Sequence, residues 1–296
     1  MSGIAENICF RLAKSRVLKR QEGDAGERAA TFDKGAYQDW RKSELERQFS
    51  AHFSGDDVAG KDVLDFGCGG GELSFLAAER GATSVVGIEV DRERFEMAAA
   101  RAEASILPNR PQFVHSPDTR TVNRPDASAD VILCFDVLEH ILDYPDIIPE
   151  WRRILRPGGR VLIWWMPYYH PWGHHVESLV PLPWVHALFS DRTVINTCAR
   201  IYDMPEFRPR IWDLDSAGAK KPNKWRTMET LPTLNKLTIR RFEKIARDLG
   251  FGFARREYHP ISSSGVAKMI SKALISLPPA REFFTSVVVY NLQKPA

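Results

Sequence analysis

Between residues 63 and 165 short apolar runs alternate with helical segments, and this alternation restricts the chain to a small set of folds. Residues 63–65 read as a strand, 67–71 as a tight loop, and 72–80 as a helix ended by Gly81. Residues 84–90 read as a second strand, followed by a helix over 91–105 whose acidic start suits the positive end of its dipole. Strands are expected at 112–115, 129–134 and 160–165, with a helix over 147–155 stopped by Pro157-Gly158-Gly159. Strands and helices in turn at this spacing make βαβ units and a mostly parallel α/β sheet. Such a sheet binds ligands beyond the carboxyl ends of its strands.

The flanks follow other rhythms. Residues 1–20 read as a basic helix with Ile4, Ile8, Leu12 and Leu18 as its apolar positions, and residues 34–53 as a helix carrying Tyr37, Trp40, Leu45 and Phe49. Residues 168–235 are rich in Pro, Trp, His and Tyr without a clear period, which reads as a lid inserted into the sheet domain. Regularity resumes with a helix over 239–249, Thr238 as its N-cap, then strands at 251–258 and 285–292. The expected organisation is a helical cap over 1–55, a core over 56–167, a lid over 168–235 and completion of the sheet by 236–296. No apolar run approaches the ~18–20 residues that span a bilayer, and the N-terminus lacks the apolar region of a secretory signal. Cys9, Cys68, Cys134 and Cys198 are far apart and form no CxxC pair, as expected of reduced cysteines in a cytoplasmic protein.

The first strand and loop read Asp65-Phe66-Gly67-Cys68-Gly69-Gly70-Gly71. A dinucleotide fingerprint, G-x-G-x-x-G, would need a third glycine where Glu72 stands, and that carboxylate would repel a pyrophosphate. Asp65 and the loop carbonyls suit a ligand with a cationic amino group, such as the methionine end of S-adenosylmethionine (SAM). Glu89 lies 22 residues after Gly67, near the separation of a ribose-binding carboxylate, and Asp91 reads as a helix N-cap. Asp118, with the Thr119 amide, is placed to meet the adenine amino group, and Phe135 to line the cofactor cleft. Cys68, Gly71 and Val90 complete the expected cofactor-binding set.

The runs D-F-G-C-G-G-G, G-I-E, F-D-V-L-E-H-I and L-R-P-G-G-R-V-L-I occur in that order over about 100 residues. Together they resemble the methyltransferase type 11 family of class I SAM-dependent enzymes, with motifs similar to those of ubiquinone O-methyltransferases. The resemblance implies a Rossmann-like sheet of seven strands with an antiparallel last strand at 285–292. It implies contacts to SAM from Asp65, Gly67, Gly69, Glu89 and Asp118, and points to Phe32, Tyr37 and Trp40 as N-terminal residues closing the pocket. It does not extend over 168–235.

The acceptor must be read from other features. His174 or His175, oriented by Glu177, fits deprotonation of a hydroxyl, and His140 is a second candidate base. The same histidines could instead pack within an aromatic lid, and His170, His174 and His175 with Glu139 or Glu177 have a spacing compatible with a metal, though no metal is assigned. The D/N-P-P-Y/F signature of amino-methylating DNA enzymes and the Pro-Cys of cytosine C5 enzymes are both missing, and no RNA-recognition module is visible. No nucleic-acid partner is therefore expected, and an aromatic or lipophilic small-molecule acceptor, methylated on oxygen, fits the lid. Residues 205–296 hold 17 Lys/Arg against 8 Asp/Glu, leaving 24 against 30 elsewhere, for a net charge of +3. With Val266, Met269, Ile270, Ala273, Leu274 and Leu277 on one helical face, this basic third could make a peripheral membrane contact. The alternatives are a SAM-binding enzyme of other chemistry and a non-catalytic SAM-binding scaffold.

Overall fold

The computed structural model describes residues 2–23, 34–215, 217–231 and 234–296. Its helices are α1 (Ser2–Gly23), α2 (Lys34–His52), α3 (Glu72–Glu79), α4 (Arg92–Glu103), α5 (Tyr144–Ile154), α6 (Val185–Leu188), α7 (Asp191–Tyr202), α8 (Ile239–Asp248), α9 (Gly265–Ser276) and α10 (Pro278–Phe284). Its strands are β1 (Asp62–Phe66), β2 (Ser84–Glu89), β3 (Gln112–His115), β4 (Ala129–Phe135), β5 (Leu155–Trp165), β6 (Gly252–Pro260) and β7 (Thr285–Gln293). They form one seven-stranded sheet in the order β3-β2-β1-β4-β5-β7-β6. β1 pairs in parallel with β2 and β4, whereas β7 is antiparallel to both β5 and β6, as the resemblance implies.

The chain divides into two compact units, residues 1–40 with 168–234, and residues 41–167 with 235–296. In the second unit apolar side chains cover both faces of the sheet. On one face α5 buries Tyr144, Ile147, Ile148, Trp151 and Ile154, a helical stripe at intervals of three and four, beside Ile132, Ile163 and Trp165. On the other, Leu45, Phe49 and Phe53 pack with Leu73, Leu76, Val131 and Leu133. Each large side chain removed from water there stabilises the fold by ~1.5–3 kcal/mol before entropy is charged. Burial on both faces explains why the central strands read as continuous apolar runs.

Local capping explains where helices begin. The Asp91 side chain accepts the Arg94 N–H, and Thr238 accepts the Arg241 N–H, both as expected. The sheet differs from expectation at one end: β5 starts at Leu155 and runs through Pro157-Gly158-Gly159. The amide of Gly158, at φ +78, donates to Lys294 O, so the residues after β7 carry the strand through a segment that reads as a stop.

In the first unit α7 is a clear amphipathic helix that the sequence reading leaves inside an irregular lid. Ser190 caps it by accepting the Thr193 N–H, and it buries Val194, Ile195, Cys198 and Ile201. Cys9, Ala13 and Val17 of α1 fill the same apolar cluster, so the N-terminal helix and residues 168–234 share a core of their own.

Candidate functional site

The glycine loop leaves β1 at its carboxyl end. The amides of Gly67 and Cys68 donate to Ile88 O at 2.9 and 3.0 Å, which pins the loop over the end of β2. Gly67 has φ +71, and a Cβ there would lie 2.3 Å from Val137 Cγ2. Gly71, at φ +84, would bring a Cβ to 2.6 Å from the Phe113 ring. These two positions require glycine for both backbone and space.

Three carboxylates surround this loop. Asp65 is buried and accepts the Ser74 hydroxyl at 2.6 Å. Glu72, also buried, pairs with Arg101 at 2.9 Å, and Arg101 donates as well to Gly70 O. Glu89 accepts the Gly69 amide on Oε2 at 2.8 Å and the Val90 and Asp91 amides on Oε1 at 2.9 and 2.8 Å. A carboxylate has about four lone-pair sites, so Glu89 keeps capacity for a hydroxyl donor. Burial pushes the Asp65 carboxyl up to about 7, and the charges of Glu72 and Glu89 add to this while Ser74 opposes it. Buried negative charge with one guanidinium to offset it fits a cationic ligand such as SAM and disfavours a pyrophosphate.

This arrangement sets a pH dependence. The folded, ligand-free protein binds more protons at Asp65 than the unfolded chain between 3.8 and about 7, so this group lowers stability as pH rises through that window. A cation beside Asp65 favours its charged form, so ligand binding releases a proton below about 7. SAM affinity should therefore climb from about pH 5 to about pH 7, by at most ~10-fold per unit, and level off above. Titrations across that range check it, and Asp65→Asn should flatten the slope.

The other expected cofactor residues lie as follows. The Cys68 thiol is buried 3.8 Å from Gly69 O, and burial pushes its pKa up. Val90 is 52% exposed. Asp118 is exposed and closes its own turn, accepting the Thr121 hydroxyl and the Arg120 amide, bonds that hold its carboxyl below the usual range. Thr119 donates its hydroxyl to Asp143 at 2.5 Å. Phe135 is buried against the rings of Phe49 and Phe53, with centroids 6.0 and 5.7 Å away, a core position. Tyr37 and Trp40 belong to the first unit, where Trp40 is half exposed, and Phe32 lies outside the described residues.

The turn after β4 carries the residues of the F-D-V-L-E-H-I run. Asp136 has φ +56 and pairs with Arg41 at 2.8 Å. Glu139 is fully buried, and burial with the neighbouring Asp136 charge pushes its carboxyl well up. Asn235 ties this turn down, donating through Nδ2 to Leu138 O at 2.7 Å and Ile141 O at 2.8 Å. His140 ends the turn and is exposed.

In the first unit the histidines of residues 168–234 are mostly interior. His174 is buried, and its Nδ1 accepts the Val176 amide at 3.1 Å. Burial, with His186 nearby, pushes its pKa down to about 3, so the ring is neutral and its proton sits on Nε2. Neither nitrogen is then a base, which argues against the role expected for His174. Burial brings His170 to about 3 as well. His175 is half-buried at φ +52, and Glu177 lies 3.7 Å from the Arg210 guanidinium. His170, His174 and His175 do not converge as metal ligands among the described residues.

A family model described as a methyltransferase domain matches residues 64–163. The ubiquinone biosynthesis O-methyltransferase of Psychrobacter arcticus is 39% identical over 102 residues, 34% of this chain and 39% of that protein. The 27-O-demethylrifamycin SV methyltransferase of Amycolatopsis mediterranei is 35% identical over 105 residues, 36% of this chain and 38% of that protein. The match thus spans well under two thirds of these curated relatives. A chain from the complex between the Haloferax volcanii Trm112 methyltransferase activator and a methyltransferase shares the fold, with TM-score 0.50, 15% identity, 88% of this chain and 96% of that chain covered. The sheet order, the glycine loop with its acids and the matched domain agree, and SAM is the cofactor this domain takes. Residues 64–163 are a methyltransferase domain, carried on a seven-stranded sheet of order β3-β2-β1-β4-β5-β7-β6.

Proposed function

We propose that the whole chain methylates a small apolar or aromatic acceptor, on oxygen, using SAM. The observation that carries the cofactor part of this reading is the set of buried carboxylates, Asp65, Glu72 and Glu89, around the glycine loop. When bound, SAM supplies a methyl group on a sulfonium leaving group. The chain's own task is to hold Asp65 charged against the ligand's amino group, anchor a ribose hydroxyl on Glu89 and exclude water. Val137, seated beneath Gly67, brings the turn with His140 to the edge of the loop, and His140 is our candidate base for the acceptor hydroxyl. Two of the similar proteins are named as methyltransferases of ubiquinone biosynthesis and of a rifamycin, which supports a lipophilic or aromatic acceptor. Incubation with methyl-labelled SAM and a panel of phenols, catechols and lipophilic quinols tests the reading. Label should enter an acceptor with one S-adenosylhomocysteine released per transfer. Label retained in SAM across the panel, with SAM bound, would contradict the proposed acceptor class.

A cytoplasmic location with peripheral membrane contact belongs to the same proposal. All four cysteines are free, which suits a reducing compartment. Among the described residues no helix is long and apolar enough to cross a membrane. On α9, Ser271 and Ile275 face inward, while Val266 and Met269 are 70% and 71% exposed and Ile270 is more than half exposed. Lys272 is exposed on the same helix. An outward apolar stripe with lysines suits an anionic lipid surface, each lysine adding ~1 kcal/mol. The protein should sediment with anionic vesicles at low salt, and Met269→Glu with Ile270→Glu should leave most of it in the supernatant.

A further inference from the structure

The second unit contains a ligating cluster at the edge of the sheet, apart from the glycine loop. Glu257 and His259 sit two residues apart on β6, so their side chains share a face of the edge strand. His52, the last residue of α2, lies against them, its ring centroid 4.9 Å from that of His259. Glu257 Oε2 is 3.6 Å from His52 Nδ1 and 3.3 Å from His259 Nε2, and one ligand atom from each residue lies within 4.8 Å of the others. Among the described residues this is the one place where three such side chains converge. His52 Nδ1 is buried without a hydrogen-bond partner, since 3.6 Å is too long for a bond. The other oxygen of Glu257, Oε1, accepts the Arg255 Nε–H at 2.7 Å, and Arg255 also donates to His52 O.

We propose that His52, Glu257 and His259 bind a divalent transition-metal ion of the zinc type, clamping the end of α2 to edge strand β6. Two imidazoles and one carboxylate are ordinary zinc ligands at ~2.0–2.2 Å, which places tetrahedral ligand atoms ~3.3–3.6 Å apart. Two of the three edges already have that length, and rotation of the two rings closes the third. The Arg255–Oε1 bond orients the carboxylate so that Oε2 faces both imidazoles, the role of an outer partner in such sites. Three protein ligands leave a fourth position for water. This site is independent of the SAM reading.

The test is titration of zinc chloride into the chelator-treated full-length protein in a non-chelating buffer. One ion per chain should bind, and His52→Gln and His259→Gln should each weaken binding by about tenfold or more, with an unchanged circular dichroism spectrum and metal-free melting midpoint. Zinc should raise the melting midpoint of the wild type and not of the variants. Cobalt(II) bound to the wild type provides a readout that does not depend on any variant. Four-coordinate visible bands without a thiolate charge-transfer band support the nitrogen–oxygen site. No saturable binding, equal binding by the variants, or a thiolate band would overturn the proposal.

Discussion

Replacing Glu89 by alanine should lower SAM affinity by about a hundredfold or more while leaving the fold intact. A ribose hydroxyl on the carboxylate's remaining acceptor site would lose a charged partner worth ~1.5–3 kcal/mol. The loss reaches beyond the ligand, because Glu89 also accepts the amides of Gly69, Val90 and Asp91 and so joins the glycine loop to the end of β2. Glu89→Gln keeps one acceptor oxygen but turns an amide N–H₂ toward those donors, and should fall between the two. Isothermal titration with SAM, beside a thermal melt of each variant, measures both effects. Affinity of Glu89→Ala within threefold of wild type would remove Glu89 from the site.

Gly67→Ala should destabilise the second unit by about 3 kcal/mol and abolish measurable SAM binding. The backbone at φ +71 costs an alanine ~1–2 kcal/mol, and overpacking against Val137 Cγ2 at 2.3 Å adds ~1–3 kcal/mol. The two costs can be separated. Val137→Ala in the Gly67→Ala background removes the methyl groups that collide and should recover the packing part, leaving the backbone part. Urea melts of the two single variants and the double variant give the coupling. Additive effects would show that the loop moves away from Val137 without cost.

The parts of this fold legible in the sequence are those governed by neighbours along the chain. The caps at Asp91 and Thr238 pair with amides three residues on, so their residue types announce them. Asp65 and Glu89 are legible because each stands at the carboxyl end of a strand that the apolar pattern marks. α7 is missed although Ser190 caps it and Val194, Ile195, Cys198 and Ile201 recur at helical intervals. The Pro- and aromatic-rich sequence around it hides that period, and its partner, α1, ends 168 residues before it begins (191 − 23). Ser74 and Arg101, which brace and offset the acids, and Arg41 and Asn235, which hold the turn after β4, act across the chain and carry no local signature. His174 reads as a base because histidine titrates near neutrality, but burial and the Val176 amide give it the tautomer of a donor.

The most direct measurement is isothermal titration of the wild-type chain with SAM and with S-adenosylhomocysteine. One site per chain is expected, with micromolar affinity (~8 kcal/mol) for SAM. Because S-adenosylhomocysteine keeps the amino group that Asp65 meets, its affinity should follow the same rise up to about pH 7. Absence of binding to the folded protein would contradict the assignment of the glycine loop and its three carboxylates as a SAM site.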